Sequence, residues 1–303
     1  MKTPHVAEQG VTLVELLVSM AIGLVIMIAI GQTYLSSSSA SRIVEMQARM
    51  NEDAQAALTM MAQQLQLAGA NPVRGNRAEG FRQNSFTSTY VIRACDVAFS
   101  NTSSANSIDG LTCSHTSGSA GPDALGISYE ADAFNTTTTS GGTPADCVGN
   151  GLPATSFAYK DAAGVDQTTN VYIANPVYYV NTATYTLSCR SMGSSGTAQP
   201  LIGNIEDLQI RLGVAADDTS RSVAGYLSAQ ELENAPSLAA LSAANHWKAV
   251  RTIQICILMR TDEPVVAKAA DARYYDCSGT EVTSPPDLRL RRAYKTTVLL
   301  KNQ

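Results

Sequence analysis

From Val11 to Ile30 the chain reads VTLVELLVSMAIGLVIMIAI, a run of twenty residues with a single charge, at Glu15. Apolarity on every side predicts a helix long enough to span a hydrocarbon core about 30 Å thick, at a rise of about 1.5 Å per residue. The run is too long for the apolar region of an ordinary cleaved secretory signal, and no A-x-A-like site closes it. Beyond it the pattern narrows to one stripe, Ile43, Met46, Met50, Ala54, Ala57, Met61, Leu65 and Ala68, in steps of three or four. That spacing continues the helix as an amphipathic one, with Glu45 and Arg49 as an i,i+4 pair on its surface. Gly69 and then Asn71-Pro72 form a strong stop. The expectation is a helix from about Val11 to Ala68, roughly 87 Å long.

After Pro72 the pattern changes to short β-branched and aromatic runs between Ser, Thr, Gly and Asn. Strands are predicted at Thr89 to Ala94, Ala124 to Glu130, Asn170 to Ala174, Val177 to Asn181 and Tyr185 to Cys189. Leu208, Ile210, Leu212 and Val214 alternate with Gln209, Arg211 and Gly213, as in a half-buried antiparallel strand. Val250 to Arg260 and Ala293 to Leu300 are longer strand runs, and Leu227 to Ala244 holds one or two short helices around Pro236. The fold class is α+β, a long N-terminal helix packed on a mostly antiparallel β-sheet head. The organisation expected is a leader over 1–10, an apolar helix half over 11–31, an amphipathic half over 32–69 and a β-rich head over 70–303. Polar low-complexity stretches at Ser36 to Ser39, Asn101 to Ser107 and Asn135 to Gly142 read as solvated loops.

Charge and cysteine usage narrow the function. A net charge of -5 over 303 residues argues against sequence-independent nucleic-acid binding, so no nucleic-acid partner is expected. Six cysteines, Cys95, Cys113, Cys147, Cys189, Cys256 and Cys277, form no C-x-x-C pair. Zinc and thioredoxin-like chemistry fall away, and disulfides in an oxidising compartment fit better. Among the fifteen pairings of six cysteines, the set of shortest separations is Cys95 with Cys113, Cys147 with Cys189 and Cys256 with Cys277. A buried free thiol at Cys256, inside an apolar strand, is the alternative there.

Three histidines, His5, His115 and His246, are a poor supply for acid–base chemistry, and no nucleophile elbow, zinc-protease helix, Walker loop or dinucleotide fingerprint occurs. The expectation is no enzyme, no cofactor and no metal. His246 reads as a packing or hydrogen-bonding residue. Asp217-Asp218 reads as a hairpin turn, since it lacks calcium-loop spacing. Arg289, Arg291, Arg292, Lys295 and Lys301 read as a solvated strand face; the alternative is that the first four contact an acidic partner.

A carboxylate in the apolar run costs roughly 2.5–3.5 kcal/mol at mid-membrane unless it finds a partner. Gly10-Val11-Thr12-Leu13-Val14-Glu15-Leu16-Leu17 resembles the prepilin signal of type IV pilins and type II secretion pseudopilins, with Val11 where Phe is usual. The resemblance implies cleavage between Gly10 and Val11 by a prepilin peptidase, N-methylation of Val11, and a register role for Glu15 against a neighbour's amine. Leu65 to Gly69, Ile205 to Val214, Trp247 to Arg260 and Leu290 to Val298 resemble successive blocks of PilW-type minor pilins. This implies a type IV pilin-like fold and a subunit of pilus assembly at or near the tip. Its implied partners are other minor pilins, the major pilin and a large tip adhesin. It would be held in the inner membrane with its head in the periplasm before joining the extracellular pilus tip. The alternatives are a type II minor pseudopilin and a membrane-anchored periplasmic enzyme or binding protein.

Overall fold

The computed structural model describes residues 12–71, 90–114, 121–192, 197–217, 219–238 and 243–302. The chain divides into two compact units, Met1–Ala48 and Arg49–Gln303. Helix α1, Leu13–Leu67, runs through both and takes in Ser36 to Ser39, which is helix rather than the loop its composition suggested. In the first unit its large apolar side chains are exposed, from Leu13 to Ile30. In the second unit the predicted stripe is buried at Met50, Ala54, Ala57, Met61 and Leu65, with Leu58 added beside it. These residues share one apolar cluster with Leu208, Ile210, Leu212, Ile253, Ile255 and Ile257 of the head. Each large side chain so buried contributes about 1.5–3 kcal/mol.

The helix stops where the glycine allows it. Gly69 adopts φ +71°, a left-handed conformation that a side chain would strain. Its N–H donates to the Ser128 carbonyl at 2.9 Å. The Asn302 amide donates to the carbonyls of Gln66 and Ala68, both at 3.1 Å, so the chain's end caps the helix's end.

Among the described residues the head has four antiparallel sheets. One has the order β1-β2-β6-β7-β8, from Ile92–Cys95, Ala124–Ile127, Pro176–Asn181, Thr186–Ser191 and Gln199–Ile202. A second joins β3 (Tyr129–Ala131), β5 (Asp166–Ala174) and β4 (Ala154–Lys160). The third has the order β10-β9-β11-β14, from Val223–Leu227, Ile205–Ala215, Val250–Arg260 and Arg291–Leu299. The last is the small pair β12 (Tyr274–Tyr275) and β13 (Glu281–Val282). Two short helices, α2 (Ala229–Glu233) and α3 (Ala243–Lys248), flank a 3-10 turn at Pro236–Leu238.

The strand expected from Ala124 to Glu130 is two strands in two sheets. The break falls at Ser128, whose N–H donates to the Val91 carbonyl. A matching break at Asn175 separates β5 from β6, so the paired strands pass together from one sheet to the next. Strands β4, β8, β10, β12 and β13 were not expected; β4 and β10 are largely exposed and bury no residue fully.

In the four-stranded sheet the register sets Ile253 opposite Leu212, Ile255 opposite Ile210 and Ile257 opposite Leu208, all on the core face. On the outer face Gly213 lies beneath Tyr226. A Cβ at Gly213 would stand 2.1 Å from Thr252 Oγ1 and 3.1 Å from the Tyr226 ring. Gly213→Ala is therefore expected to lower head stability by about 1–3 kcal/mol through overpacking. The unfolding curve of the buried, single Trp247 reads this, and an unchanged midpoint would show that the row has room.

The disulfides join Cys95 to Cys113, Cys147 to Cys189 and Cys256 to Cys277. Cys256 is bonded and is no free thiol. Its bond ties the outer face of β11 to the β12–β13 hairpin, where Leu258, Tyr274 and Ala293 pack around it. In the unfolded-chain picture loops of this size give about 3–4 kcal/mol per bond.

Candidate assembly site

The helix begins on a device built from Thr12 and Glu15. Glu15 Oε2 accepts from the Thr12 N–H and from the Thr12 hydroxyl, both at 3.0 Å, and the Glu15 N–H donates back to Thr12 Oγ1 at 3.3 Å. This is a capping box, with Thr12 as N-cap and Glu15 at the third helical position. Thr12-Leu13-Val14-Glu15 matches the S/T-x-x-E pattern before an apolar run, so the signal for this cap is present in the sequence. The box keeps the carboxylate at the N-terminal end of the helix dipole. Gly10 and Val11 lie outside the described residues. The helix that follows is long and apolar enough to cross a membrane.

The basic cluster is not one solvated face, and this corrects the expectation for two of its members. Arg291 is buried, its side chain 1% exposed, and it forks onto Glu206 through Nε–Oε2 at 2.6 Å and Nη2–Oε1 at 2.8 Å. Its Nη1 also donates to Asp287 Oδ1 at 2.7 Å. Arg260 joins the same group, 3.4 Å from Glu206 Oε1, with its guanidinium 3.5 Å from the centre of the Tyr185 ring. Burial opposes the charge on Arg291, but the bonds to Glu206 and Asp287 outweigh it and hold the guanidinium above its ordinary pKa. The Arg291 bond in turn holds the Asp287 carboxyl below the usual carboxylate range. Arg289 is also turned inward, donating to the carbonyls of Thr261, at 2.9 Å, and Asp262. Neither residue is free to meet an acidic partner. Arg292 and Lys295 remain exposed on β14, an edge strand, where charge discourages uncontrolled strand pairing.

The other candidate residues are structural. His246 is buried, its ring nitrogens facing the carbonyls of Leu232 at 3.1 Å and Leu238 at 2.8 Å, so it braces α2 against the 3-10 turn. Asp217 Oδ1 accepts from the Thr219 and Ser220 N–H groups, a turn in which that oxygen is already satisfied. Asp218, His5 and His115 lie outside the described residues. Among the described residues no cluster of three or more His, Cys, Asp or Glu side chains is arranged to hold a metal ion.

One buried acid had no sequence signal. Asp123 precedes β2, yet its N–H donates to the Leu208 carbonyl and its Oδ2 accepts from the Ile210 N–H, both at 2.6 Å. The side chain acts as an extra strand rung on β9 and stitches two sheets together. Burial pushes its pKa up to about 8, against the Ile210 bond and with the charges of Asp96 and Asp207 adding to the rise.

No curated protein matches the chain. Four solved chains match it in structure. One is the type IV-like pilin TTHA1219 from Thermus thermophilus, 12% identical, with a TM-score of 0.40 over 84% of this chain and 97% of that one. A prokaryotic N-terminal methylation motif matches residues 6–31, which include Gly10, Val11 and Glu15. The type IV pilus-assembly protein W family, PilW, matches residues 177–302. Glu206, Arg260 and Arg291 meet within that second block, so the chain is similar to the PilW type IV pilus-assembly family over residues 177–302 and to the prokaryotic methylation motif over residues 6–31.

Proposed function

We propose that this chain is a minor pilin that works in the complex that initiates the pilus at its tip, as a structural subunit rather than a catalyst. A prepilin peptidase cuts between Gly10 and Val11 and methylates the Val11 amine. The helix over 11–31 then holds the subunit in the inner membrane as a single pass, with the β-rich head over 70–303 in the periplasm, until it is extracted into the fibre. Its partners are other minor pilins, the major pilin and a tip adhesin, chosen by the head. The observation that carries the reading is Glu15, a carboxylate near the start of the otherwise uncharged apolar run Val11 to Ile30. In the single chain it is satisfied by Thr12. In a low-dielectric helix bundle a neighbour's amine is the stronger partner, because a charge pair there is worth far more than in water.

Glu15→Ala is expected to leave processing intact and to reduce the subunit's copy number in sheared filaments. Orphaning a buried charge costs about 3–5 kcal/mol, which implies a loss of about tenfold or more. The measurement is the ratio of filament to membrane copies by immunoblot, with intact mass giving the mature N-terminus. An unchanged ratio at normal abundance removes the register role; a mature chain that does not begin at Val11 removes the processing.

A further inference from the structure

Strand β14 ends the four-stranded sheet, with no strand paired beyond it among the described residues. A hydrogen bond just past each end of its register with β11 fixes the phase of the ladder. The Leu300 N–H donates to the Arg251 carbonyl and the Thr261 N–H to the Leu290 carbonyl, both at 2.9 Å. In an antiparallel pair, residues that bond the neighbour alternate with residues that do not. The unbroken register from Thr252–Leu299 to Arg260–Arg291 therefore turns the even-numbered residues of β14 toward β11. Ala293, Lys295, Thr297 and Leu299 point their N–H and C=O groups outward, and no backbone group among the described residues meets them. Ala293 packs with Tyr274 beside the Cys256–Cys277 disulfide, which leaves Lys295 to Leu299 as the open length.

Charge along this edge selects what can pair with it. From Arg291 to Lys301 the chain has no acidic residue. Arg291 is enclosed with Glu206, but Arg292, Lys295 and Lys301 make no ion pair among the described residues. Arg292 lies over the Tyr294 ring at 5.6 Å, and Lys301 reaches only the neutral Gln66 amide. Side chains alternate across a strand, so exposed Lys295 and exposed Arg292 give both faces of the edge a positive charge. Leu299 beside them is 59% exposed, a large apolar side chain in water. Cations on an edge repel a basic strand and are neutralised by an acidic one. The β4 edge lacks this bias, because its Lys160 is paired to Asp166 at 2.7 Å.

We propose that the β14 edge is a docking site for an extended acidic segment of another polypeptide, which adds to the sheet as a further strand. Backbone bonds to Lys295, Thr297 and Leu299 hold it, its carboxylates meet Arg292, Lys295 and Lys301, and an apolar side chain covers Leu299. This names a surface by which the head chooses its partners. It rests on the minor-pilin reading only for that polypeptide being a pilus subunit. Peptide binding passes through neither Glu15 nor processing at Gly10, so either reading can fail alone.

The test uses the full chain in detergent micelles, with fluorescent peptides of alternating Glu and Val as the probe and of alternating Lys and Val as the control. The expected result is saturable binding of the acidic peptide by anisotropy, with the basic one about tenfold or more weaker. Amide hydrogen exchange should slow at Lys295, Thr297 and Leu299 on binding, while Thr296 and Val298, already bonded to β11, stay as they were. Thr297→Pro removes an outward N–H and no rung to β11, a position where an edge strand tolerates proline, and should weaken binding about tenfold. Lys295→Glu, at an exposed site, should remove the preference for the acidic peptide. The absence of saturable binding, equal binding of the basic peptide, or unchanged exchange at the three amides overturns the proposal. Slowed exchange at the same amides with rising protein concentration and no peptide makes a second copy the occupant, and overturns it too.

Discussion

Replacing Arg291 by methionine is expected to cost the head about 3–5 kcal/mol, more than any exposed arginine on the same strand. The reason is what remains behind. Glu206, its side chain 15% exposed, would lose both arms of its fork and keep only the 3.4 Å contact to Arg260. Asp287 would lose the partner that stabilises its ionised form. The double variant Glu206→Gln with Arg291→Met should cost less than the single one, because no buried charge is then orphaned. Denaturant unfolding of the full chain, followed by Trp247 fluorescence with the disulfides intact, measures both. Equal costs for single and double variants would show that the fork is not an energetic unit. Arg292→Met, on the same strand but exposed, should stay within about 0.5 kcal/mol.

The second large effect is a pH dependence carried by Asp123. Its folded pKa, about 8, lies well above the unfolded value near 4, so the folded state holds a proton that the unfolded state has released. Stability from this group is fully present below about pH 4, declines as pH rises, and levels off above about pH 8. The slope in between is at most about 1.4 kcal/mol per pH unit. Asp123→Asn keeps an oxygen for the Ile210 N–H and cannot ionise. It should match the wild type near pH 4 and exceed it by a few kcal/mol near pH 8. Subtracting the two stability curves isolates Asp123 from Asp287, whose folded pKa is depressed and whose contribution is lost as pH falls below about 4. A flat difference curve would mean that Asp123 stays ionised on β9.

Much of this architecture was legible in the residue pattern. A helix that is apolar all round and then on one stripe announces itself at any depth of burial, and Gly69 marks its end because few other residues adopt that backbone. Strands β9, β11 and β14 were visible because one face is apolar and the alternation is long enough to count. The exposed strands β4 and β10 were not, because a strand with no fully buried residue need not alternate between apolar and polar positions. The capping box at Thr12 was within reach as a four-residue pattern.

Arg291 and Asp123 were out of reach for a different reason. In the chain Arg291 stands among other basic residues and looks solvated; its partner Glu206 is 85 residues away. Asp123 looks like a turn residue until β9, 87 residues later, runs past it. The sequence by itself determined which segments are helix and strand and which face of each is apolar, since those follow from local geometry and periodicity. Only the tertiary structure decided which charges are enclosed, which acid keeps its proton and which strand keeps an open edge. Those depend on the elements that meet, and burial acts on a charge through neighbours in space rather than along the chain.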